Sequence, residues 1–353
     1  MKVMKFGGSS LGNVVGLSNV IDIIRKASVA DGGGVVVVVS ALAGITDLLV
    51  EGAGKASKGD MTYNDEIDEI TRRHHSLIND WFGSRDQPET LKAGVDRLIE
   101  ELRSIVYGVK LLRDLSTHSL DLICSYGELL SAFILTQLVE GSLEADARTF
   151  VITENRRGTD IVNPELSEQL IRETIPPLLA TSSSNVVITP GFISSDKISG
   201  RTTTLGRGGS DYTAALIAGA LNADVLEIWT HVNGFLTADP EVIPEAYTIP
   251  ALTYAEATEL CNFGSKVLFP PSIYPVCRGG IPIRIKNTYN PSEPGTVISG
   301  ERDYNDRRQI KGVSSISDTA LITVTGVAML GVIGINRRIF SSLAEHGISV
   351  FMV

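Results

Sequence analysis

Along the chain, short uninterrupted apolar runs alternate with stretches of helical spacing, a pattern that predicts a mixed α/β protein. Residues 2–6, KVMKF, read as a strand. After Gly7-Gly8-Ser9-Ser10, the segment from Gly12 to about Ala27 reads as a helix with Leu17, Val20, Ile21 and Ile24 on one face. Val35–Val39 follows three glycines and is the pattern of a strand covered on both faces, as in a parallel sheet. From Met61 to Glu140 the spacing turns helical and the charge rises. There Leu91, Val95, Leu98, Leu102, Ile105, Val109 and Leu112 repeat at intervals of four and three after Pro88, predicting one long amphipathic helix packed on its own domain. Ser125-Tyr126-Gly127-Glu128 is expected to interrupt this helical region. Val186–Thr189 reads as a buried strand and Tyr212–Leu221 as a helix capped by Ser210 or Asp211. Val225–Trp229 reads as a strand, Thr253 with Glu256 as the capping box of another helix, and Ile281–Lys286 as a further strand. Pro291–Asp306, rich in Pro, Gly, Ser and charge, reads as a linker. Beyond it, Leu321–Thr325, about Ile335–Glu345 and Ser349–Val353 read as strand, helix and strand.

Composition narrows the class. A chain of 353 residues suggests two to three domains, and 43% hydrophobic with 20% charged residues is ordinary globular usage. The longest apolar run, Val35–Val39, is far shorter than the roughly 20 residues of a membrane span, and the N-terminus carries no signal-peptide pattern; a cytoplasmic protein without a membrane partner is expected. Cys124, Cys261 and Cys277 form no CxxC pair, which points to buried reduced thiols rather than disulfides or zinc. His74 and His75 lie among Arg72, Arg73 and Ser76 and read as a solvated helix face. The net charge of −10 is spread along the chain, so nucleic acid is not an expected partner. An acidic chain that binds a small anion must gather its cations locally, beside glycine loops.

Three such cations, Lys5, Arg207 and Lys266, and two further polar places carry candidate chemistry. Lys5 stands at the end of the first strand, before Gly7-Gly8-Ser9-Ser10. Strand, glycine turn and helix start present free amides and a positive dipole end, suited to phosphate. The Gly7-to-Gly12 spacing is that of a Walker loop, but Asn13 and Val14 occupy the Lys and Ser/Thr positions. Lys5 either aims its ammonium at the loop or is a solvated lysine beside an ordinary turn. Ser40 and Thr46 follow the valine strand, where ligands gather in α/β sheets, as substrate-facing hydroxyls or as turn and cap residues. Glu128, beside Gly127, could grip an ammonium group or lie on a helix surface. The densest chemistry is Thr202–Asp211, where Arg207 among Gly206, Gly208 and Gly209 could clamp a carboxylate. Lys266 is a further lone lysine beside glycine, in Phe263-Gly264-Ser265-Lys266.

Together, Lys5-Phe6-Gly7-Gly8-Ser9-Ser10, the stretch 39–46, Ser125–Glu128, Thr204–Thr213 and Phe263–Leu268 resemble aspartate kinases of the amino acid kinase family. Ile285-Lys286-Asn287-Thr288 is most similar to the aspartokinase part of bifunctional aspartokinase–homoserine dehydrogenases. The resemblance implies a three-layer α/β/α fold with a mainly parallel sheet. It implies a catalytic domain over residues 1–300, with an N-lobe to about 195 and a nucleotide-binding C-lobe from 196, then a linker over 301–312. Residues 313–353 are similar to half of an ACT regulatory domain, a ferredoxin-like βαβ piece, and end before any dehydrogenase could begin, as in a fragment of a longer protein. The implied reaction is transfer of phosphate from ATP, with Mg²⁺, to the side-chain carboxylate of L-aspartate in lysine, threonine and methionine biosynthesis. By the family's pattern Lys5, the amides of Gly7 and Gly8, Ser9, Thr230, His231 and Lys266 would meet the nucleotide. Ser40, Thr46, Glu128, Arg207 and Ser210 would meet aspartate, and Asp211 would orient the cationic groups or a Mg²⁺-bound water. No direct protein ligand to the metal is implied. A lysine or threonine effector and a homodimer or larger homo-oligomer would be the further partners. The chain departs from the family at His231, Leu236 and Glu241, where an aspartate, a tyrosine and an arginine are usual; Glu241 puts negative charge where triphosphate is expected, and His231 meets a ribose hydroxyl or is a surface histidine. The other readings are a non-catalytic ACT-type amino acid sensor and another kinase of the same fold.

Overall fold

The computed structural model describes residues 1–30, 33–156, 158–302, 310–317, 319–325, 333–348 and 350. Among them the strands are β1 (Lys2–Phe6), β2 (Val35–Val39), β3 (Leu143–Glu144), β4 (Ile152–Arg156), β5 (Thr159–Val162), β6 (Val186–Pro190), β7 (Ile193–Asp196), β8 (Thr202–Thr204), β9 (Val225–Thr230), β10 (Ala251–Thr253), β11 (Ile283–Asn287) and β12 (Thr296–Ser299). The helices are α1 (Gly8–Leu11), α2 (Val14–Ala30), α3 (Ile45–Ser57), α4 (Tyr63–Phe82), α5 (Glu89–Leu112), α6 (Thr117–Leu138), α7 (Pro164–Thr181), α8 (Gly209–Ala220), α9 (Tyr254–Asn262), α10 (Ile273–Cys277) and α11 (Ile335–Glu345).

The valine run organises the rest. All five valines of β2 are fully buried, because β2 lies between β1 and β6 in an eight-stranded sheet ordered β10-β12-β11-β9-β1-β2-β6-β3. Pairing is parallel throughout except between β11 and β12. Strands from before and after residue 195 therefore share one sheet. A smaller sheet, β5-β4-β7-β8, stands beside it. Since side chains alternate along a strand, Met4, Phe6, Val35, Val37 and Val39 pack on one face, in a core with residues of α2–α6. Val3, Val36 and Val38 pack on the other, with residues of α7, α8 and α9. Lys5 has the parity of Val3, so it points toward α8.

Several expectations change. Residues 125–128 do not interrupt a helix: α6 runs through them, and all four are buried. This helix is long and apolar enough to cross a bilayer, but two thirds of its apolar window is buried inside the protein, which makes it a core helix. In α5 the buried stripe is Leu91, Val95, Ile99, Leu102, Val106 and Val109; Leu98 and Ile105 are half-buried, and Leu112 is exposed. The helix after the arginine loop starts at Gly209, with Gly208 before it in the left-handed conformation (φ 72°) and no side-chain cap, so Ser210 and Asp211 lie inside the first turn. The expected linker holds β12, which lies in the large sheet between β10 and β11. His74 is fully buried, with Nδ1 2.7 Å from the Ile70 carbonyl, and burial pulls its imidazole down to about 4; His75 pairs with Asp96 at 2.8 Å. Of the thiols, all free, only Cys124 is buried, and Cys277 is exposed. Residues 321–325 form no strand and are exposed, α11 forms with none of its residues buried, and the strand expected over 349–353 lies, apart from Val350, outside the described residues.

Candidate active site

The carboxyl ends of β1, β2, β6, β9 and β11 all face one edge of the large sheet, and the loops that leave them carry most of the residues singled out above. This is where open α/β sheets take ligands. Lys5 leaves β1 on the α8 face, and its Nζ lies 2.7 Å from Asp211 Oδ1 in the first turn of α8. Both side chains are nearly buried, at 14% and 11% exposure, so the pair fixes where the ammonium points. Gly7 and Gly8 follow at once, with the Gly7 amide donating to the Trp229 carbonyl at 3.2 Å.

Glycine brings three segments together. A Cβ on Gly8 would stand 2.4 Å from the Ala41 carbonyl oxygen, and one on Gly127 would stand 2.7 Å from the Ala41 side chain. With no Cβ at either position, the phosphate-type loop, the 40–46 loop and α6 meet around Ala41. That contact puts Glu128 under the site: its Oε1 accepts from the Ala41 amide at 3.1 Å, and its Oε2 has no hydrogen-bond partner among the described residues. Burial pushes the Glu128 carboxyl up to about 8, against the pull of the Ala41 amide and the nearby Lys5 charge. A carboxyl buried with one free oxygen is suited to an incoming cation.

Around this centre, Ser40 is half-buried with its amide on the Phe6 carbonyl at 3.2 Å, and Thr46 is half-buried in the first turn of α3. Ser210 is buried in the first turn of α8. Arg207 is exposed and makes no ion pair among the described residues, which leaves its guanidinium free for a carboxylate. Lys266 lies apart from Lys5. It lines a neighbouring cavity of about 310 Å³ with His231, Leu236, Asp239, Glu241 and Ser315. His231 joins the two places, because its Nδ1 is 3.5 Å from Ser9 Oγ and 3.4 Å from Thr230 Oγ1. A separate cavity of about 290 Å³ on the outer face of α8, lined by Arg172, Tyr212, Tyr274 and Arg278, holds none of the expected residues.

Three features were missed in the sequence. Phe192, after β6, is left-handed (φ 66°), and its amide donates to Thr213 Oγ1 at 3.1 Å, so it turns the chain at the sheet edge beside α8. Tyr289 reaches the Ser9 carbonyl, and Ser10 meets Thr288 across 278 residues of sequence. His118, Asp121 and Asp160 offer ligand atoms within 4.8 Å of one another. Ser9, Ser10, Thr213 and Thr288 stand in the motifs quoted above, whereas nothing local marks Phe192, Tyr289 or the His118, Asp121 and Asp160 group. The edge near Lys5 offers carboxylate oxygens of Asp211 and Glu128, hard donors that fit a Mg²⁺ carried largely by phosphates and water.

Residues 1–287 match the model of the amino acid kinase family. The chain is 32% identical to lysine-sensitive aspartokinase 3 of Escherichia coli over 99% of its own length and 75% of that protein. It is 33% identical to the chloroplastic bifunctional aspartokinase/homoserine dehydrogenase 2 of Arabidopsis thaliana, of which it covers 38%, and it spans 61% of that plant's aspartokinase 1. The structure is similar to that of Escherichia coli aspartokinase III in complex with aspartate and ADP in the R-state, at a TM-score of 0.84 and 29% identity over 100% of this chain and 76% of that one. Against the T-state complex of the same enzyme with lysine and aspartate the TM-score is 0.76, at 30% identity over 99% and 76% of the two chains.

Proposed function

From the premise that this chain belongs to the amino acid kinase family and groups there with the aspartokinases, we propose that it transfers the γ-phosphoryl group of ATP to the side-chain carboxylate of L-aspartate. The observation that carries this reading is the buried Lys5–Asp211 pair beside Glu128, under a glycine loop at the carboxyl edge of the sheet. An aspartate side chain ionises near pH ~3.9, so at neutral pH the nucleophile needs no general base. A carboxylate oxygen attacks the γ-phosphorus, an O–P bond forms, the bond to the β–γ bridging oxygen breaks, and ADP leaves with that electron pair. Catalysis is then a matter of positioning and of balancing charge on the transferring group.

In this reading the Lys5 ammonium, aimed by Asp211, and the Gly8 amide stabilise the phosphoryl oxygens; the Gly7 amide, expected from the sequence to do the same, is instead spent on the Trp229 carbonyl. Arg207 takes the α-carboxylate of aspartate in a paired hydrogen bond, and Glu128, once deprotonated, takes its α-ammonium. Ser40, Thr46 and Ser210 line the same substrate. Ser9, Thr230, His231 and Lys266 belong to the nucleotide side, so that residues before about 195 supply three of the five aspartate contacts and the glycine segment after β1, while residues from 196 supply Thr230, His231 and Lys266 to the nucleotide. Mg²⁺ bound with the triphosphate supplies further charge neutralisation, and Asp211 is the carboxylate available to one of its waters. Similarity to a lysine-sensitive enzyme supports a lysine or threonine effector acting through residues beyond 313, tested by a shift of melting temperature with either amino acid.

ADP release with MgATP and saturating L-aspartate, run beside a hydroxylamine trap for the acyl phosphate, tests the reaction. Aspartate-dependent hydroxamate is the expected result. ATP binding without either signal would transfer the assignment to another substrate of this fold, and absence of ATP binding would favour the amino acid sensor, in line with Glu241 in the nucleotide cavity.

A further inference from the structure

The stretch Ile285-Lys286-Asn287-Thr288 has no part in the chemistry above, and Asn13 occupies the position of a Walker lysine without facing phosphate. Their contacts explain both. At the end of β11, Thr288 donates its amide to the Thr230 carbonyl at 2.8 Å, and its Oγ1 lies 2.7 Å from Ser10 Oγ, both side chains buried. Asn287 Nδ2 donates to Asn233 Oδ1 at 2.7 Å, and Asn287 Oδ1 accepts from the Tyr289 amide at 2.9 Å. The Tyr289 hydroxyl donates to the Ser9 carbonyl at 2.7 Å and accepts from Asn13 Nδ2 at 3.0 Å. Asn13 Oδ1 in turn caps α2 through the Gly16 amide at 2.8 Å. Residues 287–289 thus bind both the glycine loop and the loop after β9.

Such a tether has a physical purpose. α1 is a single turn of four residues, too short to hold its shape alone, and its carbonyls have no partners along a continuing helix. A tyrosine is a rigid strut with only two side-chain torsions, so a hydroxyl bonded on both sides sets the position of the Ser9 carbonyl. The Gly8 amide precedes that carbonyl closely, and the Gly7 amide before it is fixed on the Trp229 carbonyl at 3.2 Å.

We propose that Tyr289, acting with Asn13 and Thr288, is a positioning residue for phosphoryl transfer: its hydroxyl holds the Gly7–Ser10 loop in register with the nucleotide-side loop after β9. The proposal rests on the kinase reading, and its test separates the two. Tyr289→Phe removes only the hydroxyl of a side chain that is 40% exposed, so the protein is expected to fold with an unchanged melting temperature. Turnover should fall about tenfold with KM for aspartate unchanged, the size expected for losing one or two hydrogen bonds that act in the transition state. Amide hydrogen exchange over residues 7–12 should quicken by a similar factor. Asn13→Ser keeps an acceptor for the cap but loses the amide donor, and should reproduce the defect without adding to it in the double variant. Thr288→Ser should behave as the parent, and Thr288→Val should lose turnover. Parent-like turnover in Tyr289→Phe overturns the proposal, whether exchange is unchanged or quickened, since quickened exchange alone makes Tyr289 a brace with no bearing on the reaction. A parent protein without aspartate-dependent turnover sinks the kinase reading instead; parent-like exchange in the variant would then still refute the tether.

Discussion

At the scale of the residue, the site consists of charges whose burial gives them direction. Lys5 and Asp211 neutralise each other in a nearly buried pair, and removing one partner of such a pair costs about 3–5 kcal/mol because the other is left uncompensated. Lys5→Ala is therefore expected to lower the melting temperature and abolish turnover. Adding Asp211→Asn should recover much of the melting temperature without recovering turnover, which a thermal melt and the ADP assay read side by side. Recovered turnover in the double variant would remove Lys5 from the chemistry. Glu128 gives a pH signature. Its carboxyl, near 4.5 when exposed, is raised to about 8 by burial, so the folded protein holds a proton there that the unfolded chain has released. Stability contributed by Glu128 is thus lost as pH rises from 4.5 toward 8 and is level above that. Binding an ammonium group requires the ionised form, so KM for aspartate should fall as pH rises from about 6.5 to 8, by at most about tenfold per unit. In Glu128→Gln that slope should vanish while KM rises; a slope that survives the substitution assigns it to another group.

At the scale of the element, the parts legible in the sequence were those whose signal is local and repeated. The valine run and the Thr253–Glu256 capping box, with Glu256 accepting from the Thr253 amide at 2.7 Å, formed as read, whereas the glycine segment after β1, read as a loop with a helix from Gly12, is a helical turn over Gly8–Leu11 followed by a helix from Val14. Where a pattern allowed two answers, packing decided. In α5 the seven-residue repeat read from the sequence keeps Leu98 and Ile105, but 3.6 residues per turn rotates the buried stripe onto Ile99 and Val106. Ile99→Ala should therefore cost about 2–5 kcal/mol, and Leu98→Ala less than half as much, in chemical denaturation. Equal losses would restore the sequence reading. Residues 125–128 looked like a break because Gly127 is a weak helix former, yet the glycine lets α6 approach Ala41. Glu128 was legible as a residue, but its burial was not, since burial comes from loops 87 positions away. Tyr289 was invisible for the same reason: its partners Ser9 and Asn13 are 280 and 276 residues distant.

At the scale of the molecule, the chain beyond β12 lines the cavity proposed for the nucleotide. Lys311 Nζ bonds Glu256 Oε2 at 3.0 Å, with only 12% of the lysine side chain exposed, and the Val313 amide donates to the Thr237 carbonyl at 2.9 Å. Val313, Ser314 and Ser315 then form a wall of the cavity that holds Lys266 and His231. Charge is mixed among the described lining residues, Asp239 and Glu241 with Lys266, so in the proposed function the fit of this wall weighs heavily in holding a triphosphate. Gly264 is where wall and floor meet. Its φ is 123°, and a Cβ there would stand 2.0 Å from the Ser315 carbonyl oxygen, a backbone atom that cannot step aside alone. Gly264→Ala must displace residues 313–315 or the segment carrying Lys266. KM for ATP should then rise by about tenfold or more while KM for aspartate, whose proposed contacts are at Glu128 and Arg207, stays as in the parent. Lys311→Ala should shift the same constant in the same direction by a smaller factor, because it releases the wall without pushing it. If both variants bind ATP as the parent does in steady-state kinetics with ATP varied, residues 311–315 only rest on the catalytic domain, and the nucleotide is held by the β1 and β9 loops without them.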